Sequence, residues 1–126
     1  MSFTNFLETE ILDHVFGGNA YTAPGTHYLA LYTAAPGETG GGTECTGTSY
    51  ARQTVAFTVS GNEATNSAAV EFPTAGSNWG TITHVGVFDA ASSGNLMAYG
   101  TLSASKAVET GDVFRVPAGD LDITLD

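Results

Sequence analysis

Residues 72–102, FPTAGSNWGTITHVGVFDAASSGNLMAYGTL, constrain the possible folds more than any other stretch of this chain. They read as a loop carrying the only tryptophan, Trp79, then a strand over 81–88. A turn at Ser92-Ser93-Gly94-Asn95 and a second strand over 96–102 follow. The first strand is apolar on both faces, with Ile82 and Phe88 expected on one side and Val85 and Val87 on the other. Such a strand must be covered above and below, so it belongs in the middle of a layered β structure.

The flanking sequence supplies the rest of the layers. Residues 27–32 alternate, with Leu29 and Leu31 on one face and Tyr28, Ala30 and Tyr32 on the other. Over residues 52–59, Gln53, Val55, Phe57 and Val59 share one face, opposite Arg52, Thr54, Ala56 and Thr58. Gly61-Asn62 marks a turn into a short strand through Val70 and Phe72, stopped by Pro73. Further strands are expected over 106–109, 113–116 and 121–125. Several short strands cut by turn residues predict a mainly β, single-domain antiparallel β-sandwich, jelly-roll-like, with one N-terminal amphipathic helix. Its expected core is Leu29, Leu31, Val55, Phe57, Phe72, Trp79, Ile82, Val85, Val87, Phe88, Leu96 and Ile123.

The helix is expected over Asn5–Phe16. Phe3, Phe6, Leu7, Ile11, Leu12, Val15 and Phe16 recur at three- and four-residue intervals, with Glu8, Glu10 and Asp13 on other faces. Asn5 is the expected N-cap, with Glu8 reaching back to it, and Gly17-Gly18 end the helix. The organisation is then residues 1–18, a helix packed on the domain or on a partner, and residues 19–126, the sandwich. A glycine-rich loop over 34–48 reads either as a flexible surface loop or as an arm ordered by a neighbouring subunit.

Charge narrows the function. With 3 Lys+Arg against 13 Asp+Glu and a net charge of -10, the chain lacks the cations that binding to phosphate backbones or anionic membranes needs. No nucleic-acid or membrane partner is expected. The lone cysteine, Cys45, cannot form an internal disulfide. The opening MSFTNFLETE has no basic n-region, so no signal peptide is expected.

Catalytic chemistry is not expected either. His14, His27 and His84 form no close pair, Cys45 has no neighbouring ligand, and no GxSxG frames a serine. The carboxylates Asp112, Asp120, Asp122 and Asp126 follow no calcium-loop spacing and read as a solvated acidic face. Catalytic, cofactor and metal sites are therefore all expected to be absent. Arg52 reads as a surface ion pair or as a buried pair fixing a loop or a subunit contact.

Several motifs in this order resemble small structural proteins of tailed bacteriophages, known as tail fibre or virion (head) decoration proteins. They are NFLETEILDHVF, YLALYTAAPG, SYARQ, NSAAVEFPTA, WGTITHVGVFDA and the closing DITLD. The resemblance implies a non-enzymatic virion protein, assembled in the host cytoplasm, released by lysis and bound to other phage structural proteins. A homo-oligomer is expected, with the major capsid protein or tail components as partners. A short chain without repeats or a trimerising shaft favours a capsid decoration (cement) protein. The alternative is a tail fibre or baseplate-associated protein with a receptor or carbohydrate-binding surface. Interface candidates are Phe3, Phe6, Leu7, Ile11, Val15, Arg52 and Trp79. Trp79 reads either as a plug in the core, which its large area favours, or as a sugar platform.

Overall fold

The chain enters the fold through a two-residue strand, β1 (Ser2–Phe3), whose end is fixed before the helix begins. Thr4 is buried there, its backbone N–H donating to Met97 O at 2.9 Å and its Oγ1 to Leu96 O at 2.6 Å. The same Thr4 Oγ1 accepts from Leu7 N, so Thr4, not Asn5, is the N-cap of α1 (Asn5–Phe16). A threonine already held by a strand backbone leaves no capping role for the exposed Asn5. At the other end Gly17 donates to Asp13 O and closes the last turn.

This computed structural model describes residues 1–125, so Asp126 among the expected acidic residues lies outside the described residues. The remaining elements are strands: β2 (His27–Ala34), β3 (Thr43–Glu44), β4 (Gln53–Val55), β5 (Phe57–Ser60), β6 (Glu63–Asn66) and β7 (Val70–Glu71). They continue with β8 (Gly80–Phe88), β9 (Leu96–Val108), β10 (Arg115–Val116) and β11 (Asp122–Thr124). All pairs are antiparallel. The large sheet runs β1-β9-β8-β2-β3, with β4 also on β2, while β10-β7 and β11-β6-β5 form two small sheets. The core lies between the large sheet and these smaller ones, where Leu29, Leu31, Val55, Ile82, Val85 and Val87 meet Val70, Phe72, Phe114, Val116 and Leu121. The fold class is thus the expected one, with unequal layers. Among the described residues, no helix is long and apolar enough to cross a membrane.

Several local expectations change. β8 is central as expected, lying between β9 and β2. Its alternation breaks, however, because the pairing with β9 jumps from Ile82↔Lys106 to His84↔Thr101. Such a bulge reverses the facing of everything beyond it. Ile82 therefore joins Val85 and Val87 in the main core, and Phe88 faces the other way, with Ala30, Tyr32 and Leu96. The bulge also merges two expected strands, 96–102 and 106–109, into the single β9.

The expected strand over 52–59 is broken at Ala56. Gln53–Val55 pairs with β2 in the large sheet, whereas Phe57–Ser60 turns away to pair with β6. Val55 is buried, Phe57 is only half-buried, and Val59 is exposed. The loop over 34–48 folds back onto the sheet. β3 pairs with β2, and Cys45 beyond it is buried, donating its backbone N–H to Leu31 O at 2.8 Å.

Candidate docking surface

Two regions hold the residues expected at an interface, one largely buried and one largely exposed. The first is the end of the sandwich around SYARQ. Arg52 grips Glu44 with two parallel hydrogen bonds, Nε to Oε2 at 2.9 Å and Nη2 to Oε1 at 2.8 Å. Its Nη1 donates to Ala90 O at 2.9 Å and Ser93 O at 2.8 Å. The guanidinium carbon lies 3.5 Å from the centre of the Phe88 ring. A planar fork suits this use, since it binds a carboxylate bidentately while its face rests on an aromatic. The Arg52 side chain is only 8% exposed, so this pair fixes loops within the chain. It ties β3, the strand at β4 and the β8–β9 turn to one another.

Tyr50 extends the same network. Its hydroxyl donates to Glu44 Oε2 at 2.7 Å and accepts from Leu31 N at 3.0 Å. Burial first, and the neighbouring Glu44 charge, hold its phenol far above the ordinary range against the opposing bond from Leu31. For Arg52, burial opposes the charged form, but the hydrogen bond and charge of Glu44 outweigh it and leave its pKa raised. Trp79 stands edge-on to Tyr50, at 5.5 Å between ring centroids, and its Nε1 donates to Thr48 O at 3.0 Å. At 4% exposure the indole offers no platform to a sugar. It fits because residue 47 is glycine: a Cβ there would come within 2.3 Å of Trp79 Cδ1. The sequence motif made Arg52 visible, but nothing local marked Glu44 as its partner.

The second region is the helix. Leu7 is its one buried residue. Phe3, Phe6 and Ile11 are half-buried, Phe6 resting edge-on against Tyr21 at 6.4 Å. Beyond them the stripe leaves the protein, with Leu12 and Val15 each 59% exposed and Phe16 83%. Two clefts flank this end. One, of about 440 Å³, lies between Phe3, Glu8, Ile11, Leu12, Glu38 and Leu125. The other, of about 360 Å³, is walled by Phe3, Leu7, Phe57, Val59, Ile123 and Leu125 among others, with Glu63 its one carboxylate. Val59 and Leu125 are themselves exposed, and periodicity had put Val59 inside, on the face of Val55. Monomeric proteins rarely leave so many large apolar side chains together at the surface, and patches of this kind mark contacts.

Phe3, Phe6, Leu7, Ile11 and Val15 thus gather at one end, while Arg52 and Trp79 lie in the interior clamp. Against known families, residues 2–124 match the one described as Podophage GP4 fiber I protein gp80. The chain belongs to this family. No curated protein matches it. Membership in the fiber I protein gp80 family makes the chain a tailed-phage structural protein of the fibre type, and a companion of other phage structural components. Among the described residues, no group of three or more His, Cys, Asp or Glu stands ready to hold a metal ion.

Proposed function

We propose that this chain is a non-enzymatic structural component of a phage tail fibre, held in the virion by the exposed end of α1. The observation that carries this reading is the outward set Leu12, Val15 and Phe16 on a helix tethered to its own domain only through its first turns. Full burial of a side chain such as Phe16 contributes about 1.5–3 kcal/mol, so three together suffice to anchor a small subunit. The partner is a neighbouring fibre subunit, a second copy of this chain first among them. In a chain of net charge -10, the contact depends on apolar burial, since Glu8, Glu38 and Glu63 line the clefts beside it. Assembly takes place in the host cytoplasm and release follows lysis.

Capsid decoration is the weaker reading, because the family matched is one of fibre proteins. The lack of a shaft or repeats does not weigh against a fibre role, since a fibre also needs compact subunits at its joints and ends. The test is a pair of charged substitutions, Leu12→Asp and Phe16→Asp, read by sedimentation of the purified chain and by incorporation into particles. Loss of association with an unchanged unfolding midpoint is expected, because an unpaired charge buried in the contact is costly. Association that is unaffected by either substitution, or that dissolves in moderate salt, overturns the reading.

A further inference from the structure

Lys106 and Arg115 stand in the same cleft, of about 590 Å³. Among the described residues the sole ion pair is Arg52–Glu44, so these two cations have no carboxylate within 4.0 Å. That is unexpected in a chain with 13 Asp+Glu and 3 Lys+Arg. Once Arg52 is consumed by the clamp, they are all of the remaining lysine and arginine charge, and the tertiary fold brings both to one place. Lys106 arrives on β9 just past its bulge, and Arg115 on β10 from the opposing layer. Glu71 faces Arg115 in the strand register without reaching ion-pair distance. Both cations are exposed, and among the described residues neither makes a side-chain hydrogen bond.

The rest of the lining selects among anions. Asp120 and Asp122 share the cleft, with one oxygen of Asp122 already accepting from Thr65 Oγ1 at 3.0 Å. Met1 also lines the cleft, its amino group already donating to Asp122 O at 2.9 Å, and the two carboxylates with the net charge of -10 repel a polyanion. A neutral sugar would leave both cations without a partner. A polyhydroxylated ring carrying one carboxylate engages both free cations: Arg115 takes the carboxylate through two N–H donors and Lys106 adds a point charge. Asp120 and the free oxygen of Asp122 accept from ring hydroxyls, and the hydroxyls of Thr101 and Ser103 line the same wall.

We propose that this cleft binds an acidic saccharide unit bearing a single carboxylate. The site goes beyond the structural role above and does not depend on the helix, so Phe16→Asp should leave it intact. The test titrates the full chain with galacturonate, galactose and sodium phosphate at constant ionic strength, following amide shifts by NMR. Galacturonate should bind with shifts confined to residues 100–106 and 114–122. Arg115→Gln and Lys106→Gln, both surface changes that spare the fold, should each weaken it at least about tenfold, the loss of a charge-assisted contact. Galactose should not shift these residues. Equal binding of galactose, phosphate binding as tight as galacturonate (an adventitious ion only), or affinity unchanged in both variants overturns the proposal.

Discussion

The clamp around Arg52 and the free end of α1 are built from residues equally conspicuous in the sequence, and they meet opposite fates. At the clamp every polar group finds a partner inside the chain. Among the described residues no buried side-chain nitrogen or oxygen lacks a hydrogen bond. At the helix end the apolar groups find none, and Phe16 is 83% exposed. Arg52 read as a surface ion pair or as a buried pair fixing a loop or a subunit contact, and it fixes loops: a scarce cation in an acidic chain is the group its own loops compete for. The helix stripe read as packing on the domain or on a partner, and the helix does both in turn: Leu7, with Phe6 and Ile11 half-buried, holds its first half, while Leu12, Val15 and Phe16 stay exposed. A residue's own chemistry sets what kind of partner it needs, and its position in the fold sets whether that partner is internal.

The comparison breaks most clearly at Arg52. Arg52→Ala should destabilise the chain by about 3–5 kcal/mol in urea unfolding, the range for removing one side of a buried pair. It strands Glu44, two carbonyls and the Phe88 ring together. Arg52→Lys should recover little of that, because an ammonium cannot bridge both carboxylate oxygens and both carbonyls. A loss under about 1 kcal/mol for Arg52→Ala would make the clamp an ordinary surface pair.

Gly47→Ala should cost less, about 1–3 kcal/mol, as overpacking does. Its added Cβ collides with Trp79 Cδ1 and must push the indole out of its seat. Red-shifted tryptophan emission should accompany the loss, and unshifted emission would show that the loop, not the indole, gives way.

Alkali sharpens the same contrast. Burial first, then the Glu44 charge, pushes Cys45 up to about 11 from an ordinary 9.0. Burial and Glu44 push Tyr32 up to about 12 from 10.0, with Arg52 working the other way. Both groups hold their protons more tightly folded than unfolded, so their stabilisation is complete below pH 9 and is lost as pH rises through 11 to 12. The urea midpoint should fall across that window, and Cys45→Ser should flatten its lower part. Thiol labelling of Cys45 at pH 8 should proceed only as fast as the protein unfolds, since the reactive thiolate is both scarce and buried.

The smallest effect on stability is expected at the helix end. Phe16→Ser should change the unfolding free energy by no more than about 0.5 kcal/mol, as surface substitutions do, while weakening association. A larger loss of stability would mean that the helix end is part of the domain's own core.

The β character, antiparallel pairing, single helix and most of the core were legible along the chain. Each follows from spacing within a few residues: period two for strands, three and four for the helix, glycine and asparagine at turns. Leu29, Leu31, Val55, Phe72, Trp79, Ile82, Val85, Val87, Phe88 and Leu96 are all buried as that spacing implied. Phe57 and Ile123 fall short because they sit on the small sheet at its open side. Only the tertiary structure decided that Ile82 shares a face with Val85 and Val87, since the register shift after Ile82 arises from the pairing of β8 with β9. Only it decided that Glu44 takes Arg52 while Lys106 and Arg115 meet unpaired in one cleft. Local periodicity is set by backbone geometry, but ion pairing depends on which distant segments the chain closes together, and no spacing along the sequence records that.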